Sequence, residues 1–286
     1  MDTYNDIYLD VRKKLRAASI EACELEARLI MAHSSGKSRE EILDMGRIYA
    51  TDEQIKKKIY ECLARRLKGE PIAYITGEWE FYGIPIAVNS SVLIPRIDTE
   101  LLAREAINLI NRKGWKTRLL DLCAGSGCVG IAVAANAKNC RIVLADVSQQ
   151  ALSVCRANML GTNLSSRITA VEVDALKMPP AVLSAFDVIV CNPPYIPTAD
   201  IKQLDASVRE YEPLQALDGG EDGLDYFQAI AENWKKIIKP GGNLVFECGT
   251  GQAPEVRAIL VKNGYKDISI FKDTLGIERV LVGSLR

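Results

Sequence analysis

The stretch Thr117-Arg-Leu-Leu-Asp-Leu-Cys-Ala-Gly-Ser-Gly-Cys-Val-Gly130 decides the fold. Its apolar first half predicts a buried strand, and its glycine-rich second half predicts a tight turn that leads into a helix. The segment Gly125-Ser-Gly-Cys-Val-Gly130 matches the G-x-G-x-x-G pattern of dinucleotide-binding α/β folds, but that match alone is weak. The stretch therefore predicts a parallel strand, a ligand-binding turn and the start of a helix.

On both sides of this stretch, strand patterns alternate with helix patterns, which predicts an α/β fold with a doubly wound sheet. Further strands are expected at residues 141–146, 171–174, 186–191, 243–248, 268–271 and 278–282, the last two as an edge hairpin. Helices are expected up to Ile110 and at residues 224–238 and 253–262, with a long loop at 196–222.

The pattern of apolar residues before the glycine turn changes twice along the chain, which predicts three parts. Residues 1–70 have apolar positions at helical spacing and predict an N-terminal helical bundle, including a capping box at Ser38 and a helix that opens at Thr51. Residues 71–95 read as short strands with turns, a β-hairpin linker. Residues 96–286 form the expected catalytic domain.

A second motif, Asn192-Pro-Pro-Tyr195, follows the buried strand that ends at Cys191. The motif resembles that of methyltransferases acting on a planar nitrogen, either an adenine amino group or a glutamine amide. Such a nitrogen attacks carbon poorly and carries two N–H donors, so the Asn192 side-chain oxygen and the Pro193 carbonyl could accept both protons. Tyr195 would cover the flat face of the group. Alignment then replaces a catalytic base.

Acidic residues at the strand ends indicate which ligand the glycine turn takes. Asp146 is placed to accept ribose hydroxyls, which leaves a nicotinamide enzyme as a competitor. Asp121, however, suits a cationic amino-acid ligand better than a pyrophosphate, and Asp174 suits an adenine amino group. A ribose, an adenine and a cationic tail without phosphate together indicate S-adenosylmethionine.

Composition limits the classes of function. The 36 basic and 37 acidic residues nearly cancel, so no global field would attract nucleic acid or membrane. No apolar run is long enough to span a bilayer, and no signal peptide is evident. The eight cysteines form no C-x-x-C pair, which predicts buried thiols in a reducing cytoplasm and no metal site.

Two features leave alternatives open. Arg96 and Glu100 are either a charge pair at a helix start or part of the entry to the donor pocket. The loop at 196–222 holds seven acidic residues against Lys202 and Arg209, and is either a solvated loop or a surface that receives a basic segment of a partner.

Taken in order, these motifs closely resemble the HemK/PrmC family, protein-glutamine methyltransferases that act on the Gly-Gly-Gln motif of class I peptide chain release factors. The resemblance covers nearly the whole chain, including Pro71–Gly77, Leu93–Glu100, Asn192–Tyr195 and Glu212-Pro with Gly219-Gly220. It implies a Rossmann-like class I methyltransferase sheet with an N-terminal helical bundle. The sequence departs from the family pattern at Cys123, at Ile97-Asp98 and at Cys248.

Carried over by residue, the resemblance implies a donor site, an adenine contact and a substrate clamp. The donor site would be lined by Cys123, Ala124, Gly125, Ser126, Gly127, Asp146 and Asn192. Asp174 or Ala175 would lie beside the adenine, and Asn192, Pro193, Pro194 and Tyr195 would hold the glutamine.

The expected protein is thus a monomeric S-adenosylmethionine-dependent methyltransferase of release factors. Alternatives are a glutamine methyltransferase of a large-subunit ribosomal protein, a DNA adenine-N6 methyltransferase and an NAD-dependent oxidoreductase. A DNA enzyme would need a basic surface or a target-recognition domain, which the balanced charge does not favour. A non-enzymatic adaptor would not need an intact set of site residues.

Overall fold

The computed structural model describes residues 2–44, 52–114 and 116–286. Backbone contacts divide the chain into two compact units, Met1–Glu78 with Asp205–Tyr211, and Trp79–Leu204 with Glu212–Arg286. Residue 1 and residues 45–51 of the expected N-terminal bundle lie outside the described residues, as does the predicted helix start at Thr51. The boundaries 1–70, 71–95 and 96–286 remain a prediction.

The first unit is built from helices. They lie at α1 (Tyr4–Ala17), α2 (Cys23–Ser35), α3 (Arg39–Asp44), α4 (Glu53–Leu67) and α5 (Ile72–Thr76). Ile7, Val11 and Leu15 are fully buried on one face of α1, whereas Leu9 is 42% exposed. The predicted capping box is present, since Ser38 and Glu41 exchange hydrogen bonds between side chain and backbone.

The segment before the first hairpin differs from its prediction. Residues 72–76 form the helix α5, not a strand. Only β1 (Glu78–Phe81) and β2 (Ile84–Ala87) pair, as a separate two-stranded sheet. Gly77 ends α5 in the left-handed conformation with a φ of 75°, which glycine adopts without strain. Ile72, Ala73, Tyr74 and Ile75 are all buried, so no polar face marks this helix in the sequence.

The second unit is organised around a seven-stranded sheet. Its strands are β3 (Thr117–Leu122), β4 (Cys140–Asp146), β5 (Ile168–Glu172), β6 (Phe186–Cys191), β7 (Ile238–Glu247), β8 (Lys266–Lys272) and β9 (Glu278–Ser284). Their spatial order is β5-β4-β3-β6-β7-β9-β8. The first five are parallel, and β9 pairs antiparallel with both β7 and β8. This arrangement confirms the doubly wound α/β fold with a closing hairpin.

Helices cover the strands of this sheet, as parallel sheets require. They lie at α6 (Thr99–Lys113), α7 (Cys128–Asn136), α8 (Gln149–Leu160), α10 (Asp225–Asn233) and α11 (Ala253–Lys262), whereas α9 (Ala206–Tyr211) belongs to the first unit. All six residues of β6 are buried, which confirms the interpretation of 186–191 as a core strand. The helix predicted to reach residue 238 ends earlier, because a 3₁₀ turn at Trp234–Ile237 precedes β7.

The predicted long loop at 196–222 has structure of its own. It contains α9 and two 3₁₀ turns, at Ile201–Gln203 and Leu214–Ala216. Ile196 and Asp218 form an isolated bridge, so the two ends of the loop are held together. Within the first unit, the Tyr211 hydroxyl donates to the carbonyl of Lys68.

Candidate active site

The topology of the sheet brings the two sequence motifs together. From β3 the chain proceeds outward through β4 to β5, then returns to place β6 on the other side of β3. Ligands of open α/β sheets bind at this reversal, beyond the carboxyl ends of the strands. Leu122, the last residue of β3, is in register with both Ala145 and Cys191. The glycine turn, Asp146 and Asn192 therefore follow three neighbouring strand ends.

A cleft of about 960 Å³, part of which is open to solvent, lies at this edge of the second unit. Nine of the predicted site residues line it: Asp121, Cys123, Ala124, Gly125, Ser126, Asp146, Ala175, Asn192 and Pro194. Gly127, Asp174, Pro193 and Tyr195 are not among the lining residues of the cleft. The glycine turn and the asparagine thus share one cavity.

The turn after β3 depends on left-handed backbone. Cys123, Gly125 and Gly127 have φ values of 61°, 54° and 80°. Glycine adopts this region freely, but a side chain such as that of Cys123 is strained there. A Cβ atom at Gly130 would lie 2.2 Å from a Leu144 methyl, so glycine is needed where α7 packs against β4. The fingerprint positions therefore have structural roles in the turn and in the packing of the helix.

Two carboxylates hold the turn, of which Asp121 is buried and Asp146 is half-buried. Asp146 accepts hydrogen bonds from the backbone N–H groups of Gly125 at 2.8 Å and Ser148 at 2.9 Å. Burial raises the pKa of Asp146, and these two hydrogen bonds oppose that shift. Asp121 is 2% exposed and accepts from the N–H of Gly130 at 2.8 Å. Burial raises the pKa of Asp121 to about 7.

The charges around the cleft indicate what kind of ligand fits. Asp121 forms no ion pair with any of the described residues, and the one basic residue among those that line the cleft is Arg96. The Arg96 guanidinium is already paired with Glu212 at 2.5 Å. A pyrophosphate would be repelled by Asp121 and Asp146, whereas a positively charged group would relieve the cost of burying them.

The side chain of Asn192 in the second motif is held by a hydrogen bond to Thr99. Its Nδ2 donates to the hydroxyl of Thr99 at 3.3 Å, and no described residue donates to its Oδ1. Pro193 and Pro194 are buried directly after it. The side chain of residue 192 therefore reaches the cleft and does not turn into the core.

The aromatic residue of the motif lies in a tightly packed loop. The carbonyl of Tyr195 accepts from the side chain of Gln252 at 2.9 Å. A Cβ atom at Gly219 would lie only 2.7 Å from the Tyr195 Cα and 2.9 Å from the Pro194 carbonyl. Burial raises the pKa of the Tyr195 hydroxyl. This packing fixes the backbone that follows Asn192.

Arg96, Glu100 and Asp174, which were also singled out from the sequence, make contacts other than those considered there. Arg96 and Glu100 do not pair, because Arg96 binds Glu212 and Glu100 accepts from the backbone N–H of Tyr82. Arg96 does line the cleft, as its alternative interpretation expected. Asp174 accepts from the N–H of Leu176 and pairs with Lys177, while its neighbour Ala175 lines the cleft.

Sequence reasoning gave no role in the site to several residues near the cleft. Tyr226 from α10 and Thr99 from α6 line it, and Glu212 is buried beside it. All eight cysteines are free, and only Cys123 is partly exposed. Within residues 2–44, 52–114 and 116–286, no cluster of His, Cys, Asp and Glu is suited to a metal ion. In the same ranges, no helix has the length and apolar character that crossing a bilayer requires.

Comparison with known proteins agrees with this geometry. Residues 6–77 match the family described as PrmC N-terminal domain, and residues 97–207 match the methyltransferase small domain. A methyltransferase from Pyrococcus furiosus shares the fold with a TM-score of 0.52 and 18% identity, over 77% of this chain and 96% of that one. The domain match thus indicates a methyltransferase, and the structural neighbour shows the same fold.

The more specific assignment comes from close relatives. The chain is 36% identical to a release factor glutamine methyltransferase from Clostridium acetobutylicum, over 90% of each chain. It is 38% identical to one from Thermodesulfovibrio yellowstonii, over 84% of this chain and 87% of that one. The chain belongs to the release factor glutamine methyltransferase family, which confirms the resemblance drawn from its motifs.

Proposed function

We propose that this protein transfers a methyl group from S-adenosylmethionine to the side-chain amide nitrogen of the glutamine in the Gly-Gly-Gln motif of class I release factors. The observation that carries the proposal is that Asn192 and the glycine turn line the same cleft. A donor held by the turn and an amide held by Asn192 would share that space. Family membership supports the choice of substrate.

The residues of the cleft fit this donor. Asp146 and Asp121 both line the cleft, where Asp146 would accept hydrogen bonds from the ribose hydroxyls and the buried Asp121 would favour the positive charge. The donor supplies an electrophilic methyl group on a sulfonium. Ala175 offers an apolar surface for the adenine, and Asp174 remains the proposed partner of its amino group.

The chain's own contribution to the reaction is orientation. The Asn192 Oδ1 and the Pro193 carbonyl oxygen accept hydrogen bonds from the two N–H groups of the substrate amide. These two hydrogen bonds direct the lone pair of the amide nitrogen along the line of methyl transfer. The same acceptors stabilise the positive charge that the nitrogen gains as the N–CH₃ bond forms and the S–CH₃ bond breaks. One N–H proton then leaves to solvent, so no side-chain base is required.

The rest of the chain would serve recognition. The N-terminal bundle, residues 1–70, is proposed to bind the release factor, with residues 71–95 as linker. Three of the acidic loop residues are already engaged, because Glu212 is buried and pairs with Arg96, Asp218 accepts from Thr198 and Gly220, and Asp222 accepts from Leu224. Fewer carboxylates are therefore available to a basic partner than the composition indicated. A monomer that acts in the cytoplasm, where translation takes place, completes the proposal.

The experiment uses labelled S-adenosylmethionine, a purified class I release factor and its Gly-Gly-Gln→Gly-Gly-Ala variant. Label should enter the first protein and not the second. Parallel reactions contain a large-subunit ribosomal protein or DNA, and a separate binding assay uses NAD. Labelling of either other substrate without labelling of the release factor, or binding of NAD in place of the donor, would reject the proposal.

Asn192→Ala tests the role of the clamp. Turnover should fall roughly 100–1000-fold, the usual effect of losing one preorganised polar contact to a transition state. Donor affinity, measured by calorimetry, should change little. The matched control is Asn136→Ala on α7, since Asn136 is exposed and bonds only to a carbonyl of its own helix. Normal turnover in Asn192→Ala would refute the role.

A further inference from the structure

A buried carboxylate behind Asn192 has no part in the mechanism described so far. Glu247 is the last residue of β7 and is only 2% exposed. Since Phe246 is in register with Cys191, Glu247 lies beside Asn192 at the ends of neighbouring strands. Its Oε2 has no hydrogen-bond partner among the described residues, which is unusual for a buried charged group.

Thr99 and Asn192 both lie close to this carboxylate. Thr99, the first residue of α6, is 3% exposed, and its hydroxyl accepts from the Asn192 Nδ2 at 3.3 Å. Hydrogen bonding by Thr99 and by Asn192 to Glu247 lowers the pKa of the carboxyl, in opposition to the larger effect of burial. The three side chains therefore form one polar cluster, in which Thr99 and Glu247 are buried and Asn192 is half-buried.

The donor and acceptor inventory of this cluster fixes the direction of the amide. An ionised carboxylate can only accept hydrogen bonds, so the groups that face it must donate. Thr99 then turns its hydroxyl proton toward Glu247 and offers its lone pairs to the Asn192 Nδ2. The Oδ1 atom is left on the other side of the amide, where a substrate NH₂ group needs an acceptor.

We propose that Glu247 is a positioning residue which, through Thr99, holds the Asn192 carboxamide with its oxygen directed at the substrate. The inference rests on the proposed function, because it assigns the reason why Asn192 presents an acceptor. Glu247 touches neither the donor nor the transferred methyl group. Its effect is on the orientation of Asn192 alone.

The protonation state of Glu247 gives the inference a distinct pH dependence. Burial raises the pKa of Glu247 to about 7, opposed by Thr99 and by the positive charge of Arg279. Once protonated, the carboxyl can donate as well as accept, and the amide of Asn192 is free to turn. Turnover should therefore rise with pH through about 7. The other titratable groups that face this cluster are Asp98, Cys128, Tyr195, Cys248 and Arg279.

The first test compares wild type with Glu247→Gln, which keeps the size of the side chain and mimics its protonated form. With saturating donor at pH 8.5, kcat should fall roughly 10–100-fold, the effect of a misplaced catalytic group. The KM for the donor should stay within about twofold, and the inflection of kcat near pH 7 should disappear. An unchanged kcat and pH profile would overturn the inference.

Asp121→Asn is the matched control, because Asp121 also titrates near pH 7 but lies at the donor turn. This variant should keep the inflection of kcat measured with saturating donor, while its donor affinity changes. Thr99→Val, which removes the hydroxyl that links Glu247 to Asn192, should reproduce the loss of kcat seen in Glu247→Gln. Wild-type kcat in Thr99→Val would overturn the inference.

A second readout does not depend on turnover, and its pH titration is carried out on the wild type. The side-chain NH₂ resonance of Asn192, assigned by its absence in Asn192→Ala, should shift with pH around an inflection near 7 in the ¹⁵N-labelled wild type. A resonance that does not respond between pH 5.5 and 8.5 would overturn the inference. Because no substrate is present, this result is separate from a failure of the wild type to methylate a release factor, which would reject the proposed function instead.

Discussion

Arg96→Ala should lower the free energy of unfolding of the second unit more than Glu212→Gln, which neutralises the partner of Arg96. The Arg96 guanidinium binds Glu212 at 2.5 Å, and the backbone N–H of Ile94 donates to the other Glu212 oxygen at 3.3 Å. The two side chains are unequal, since that of Glu212 is 2% exposed and that of Arg96 is 39% exposed. Removing the exposed partner therefore leaves the buried charge behind.

The magnitudes follow from this asymmetry. Breaking a buried pair by removing one partner costs about 3–5 kcal/mol, and the partial exposure of Arg96 reduces this to about 2–4 kcal/mol for Arg96→Ala. In Glu212→Gln the new amide still accepts from Ile94, and Arg96 can turn to water. That change should lower the free energy of unfolding by only about 0.5–1.5 kcal/mol.

The assay is urea unfolding of both single variants and of the double variant, followed by fluorescence and circular dichroism, with donor affinity from calorimetry. In the double variant no charge is left buried, so its stability should exceed that of Arg96→Ala and approach that of Glu212→Gln. Both single variants should weaken donor binding, because Arg96 and Pro213 line the cleft. A double variant less stable than Arg96→Ala would refute the reasoning.

Two further predictions concern charge at the donor turn and on the loop. Asp121→Asn should raise the free energy of unfolding at pH 8 by about 1–3 kcal/mol and hardly change it at pH 4. The reason is that burial raises the pKa of Asp121 to about 7 in the folded wild type, which therefore loses stability as the pH rises from about 4 to about 7. The same variant should bind S-adenosylmethionine more weakly at pH 8, and equal stability effects at both pH values would contradict the argument. Charge reversal of two exposed loop acids, Glu210→Lys with Glu221→Lys, should raise the KM for the release factor and leave donor affinity unchanged. The control is Glu232→Lys with Glu255→Lys on the exposed faces of α10 and α11, and an equal effect of both pairs would show that the loop has no special role.

The sequence was most informative where local chemistry determines structure. The glycine turn requires left-handed backbone at Gly125 and Gly127, and the apolar run Val188–Cys191 before Asn192 indicates a buried strand. Both features follow from neighbouring residues, so the strand ends and the motif at Asn192 could be predicted. The helix α5 was missed because its residues have strand propensity and all its sides are buried. Its helix depends on the turn at Gly77 and on tertiary packing.

Pairs of distant residues could not be predicted at all. Glu212 pairs with Arg96 from the far end of a long loop, and Glu247 meets Thr99 only because β7 and the start of α6 lie at one edge of the sheet. The sequence near Arg96 offered Glu100 as a closer partner, and a helix start makes that pairing reasonable. Glu100 instead accepts a hydrogen bond from the backbone N–H of Tyr82, and Arg96 pairs with Glu212.

Two buried carboxylates and one half-buried carboxylate lie at the carboxyl end of the sheet, and each fixes a group that the proposed reaction needs. Asp146 ties the glycine turn to the start of α8, Asp121 holds the first turn of α7, and Glu247 lies behind Asn192. Burial raises the pKa of all three, so each costs folding stability near neutral pH. This cost is explained by a reaction that depends on the alignment of the substrate amide with the methyl donor and not on a base. Methyl transfer to a weakly nucleophilic amide tolerates little error in the position of the reacting groups. The protein thus gives up stability at the points where orientation matters most.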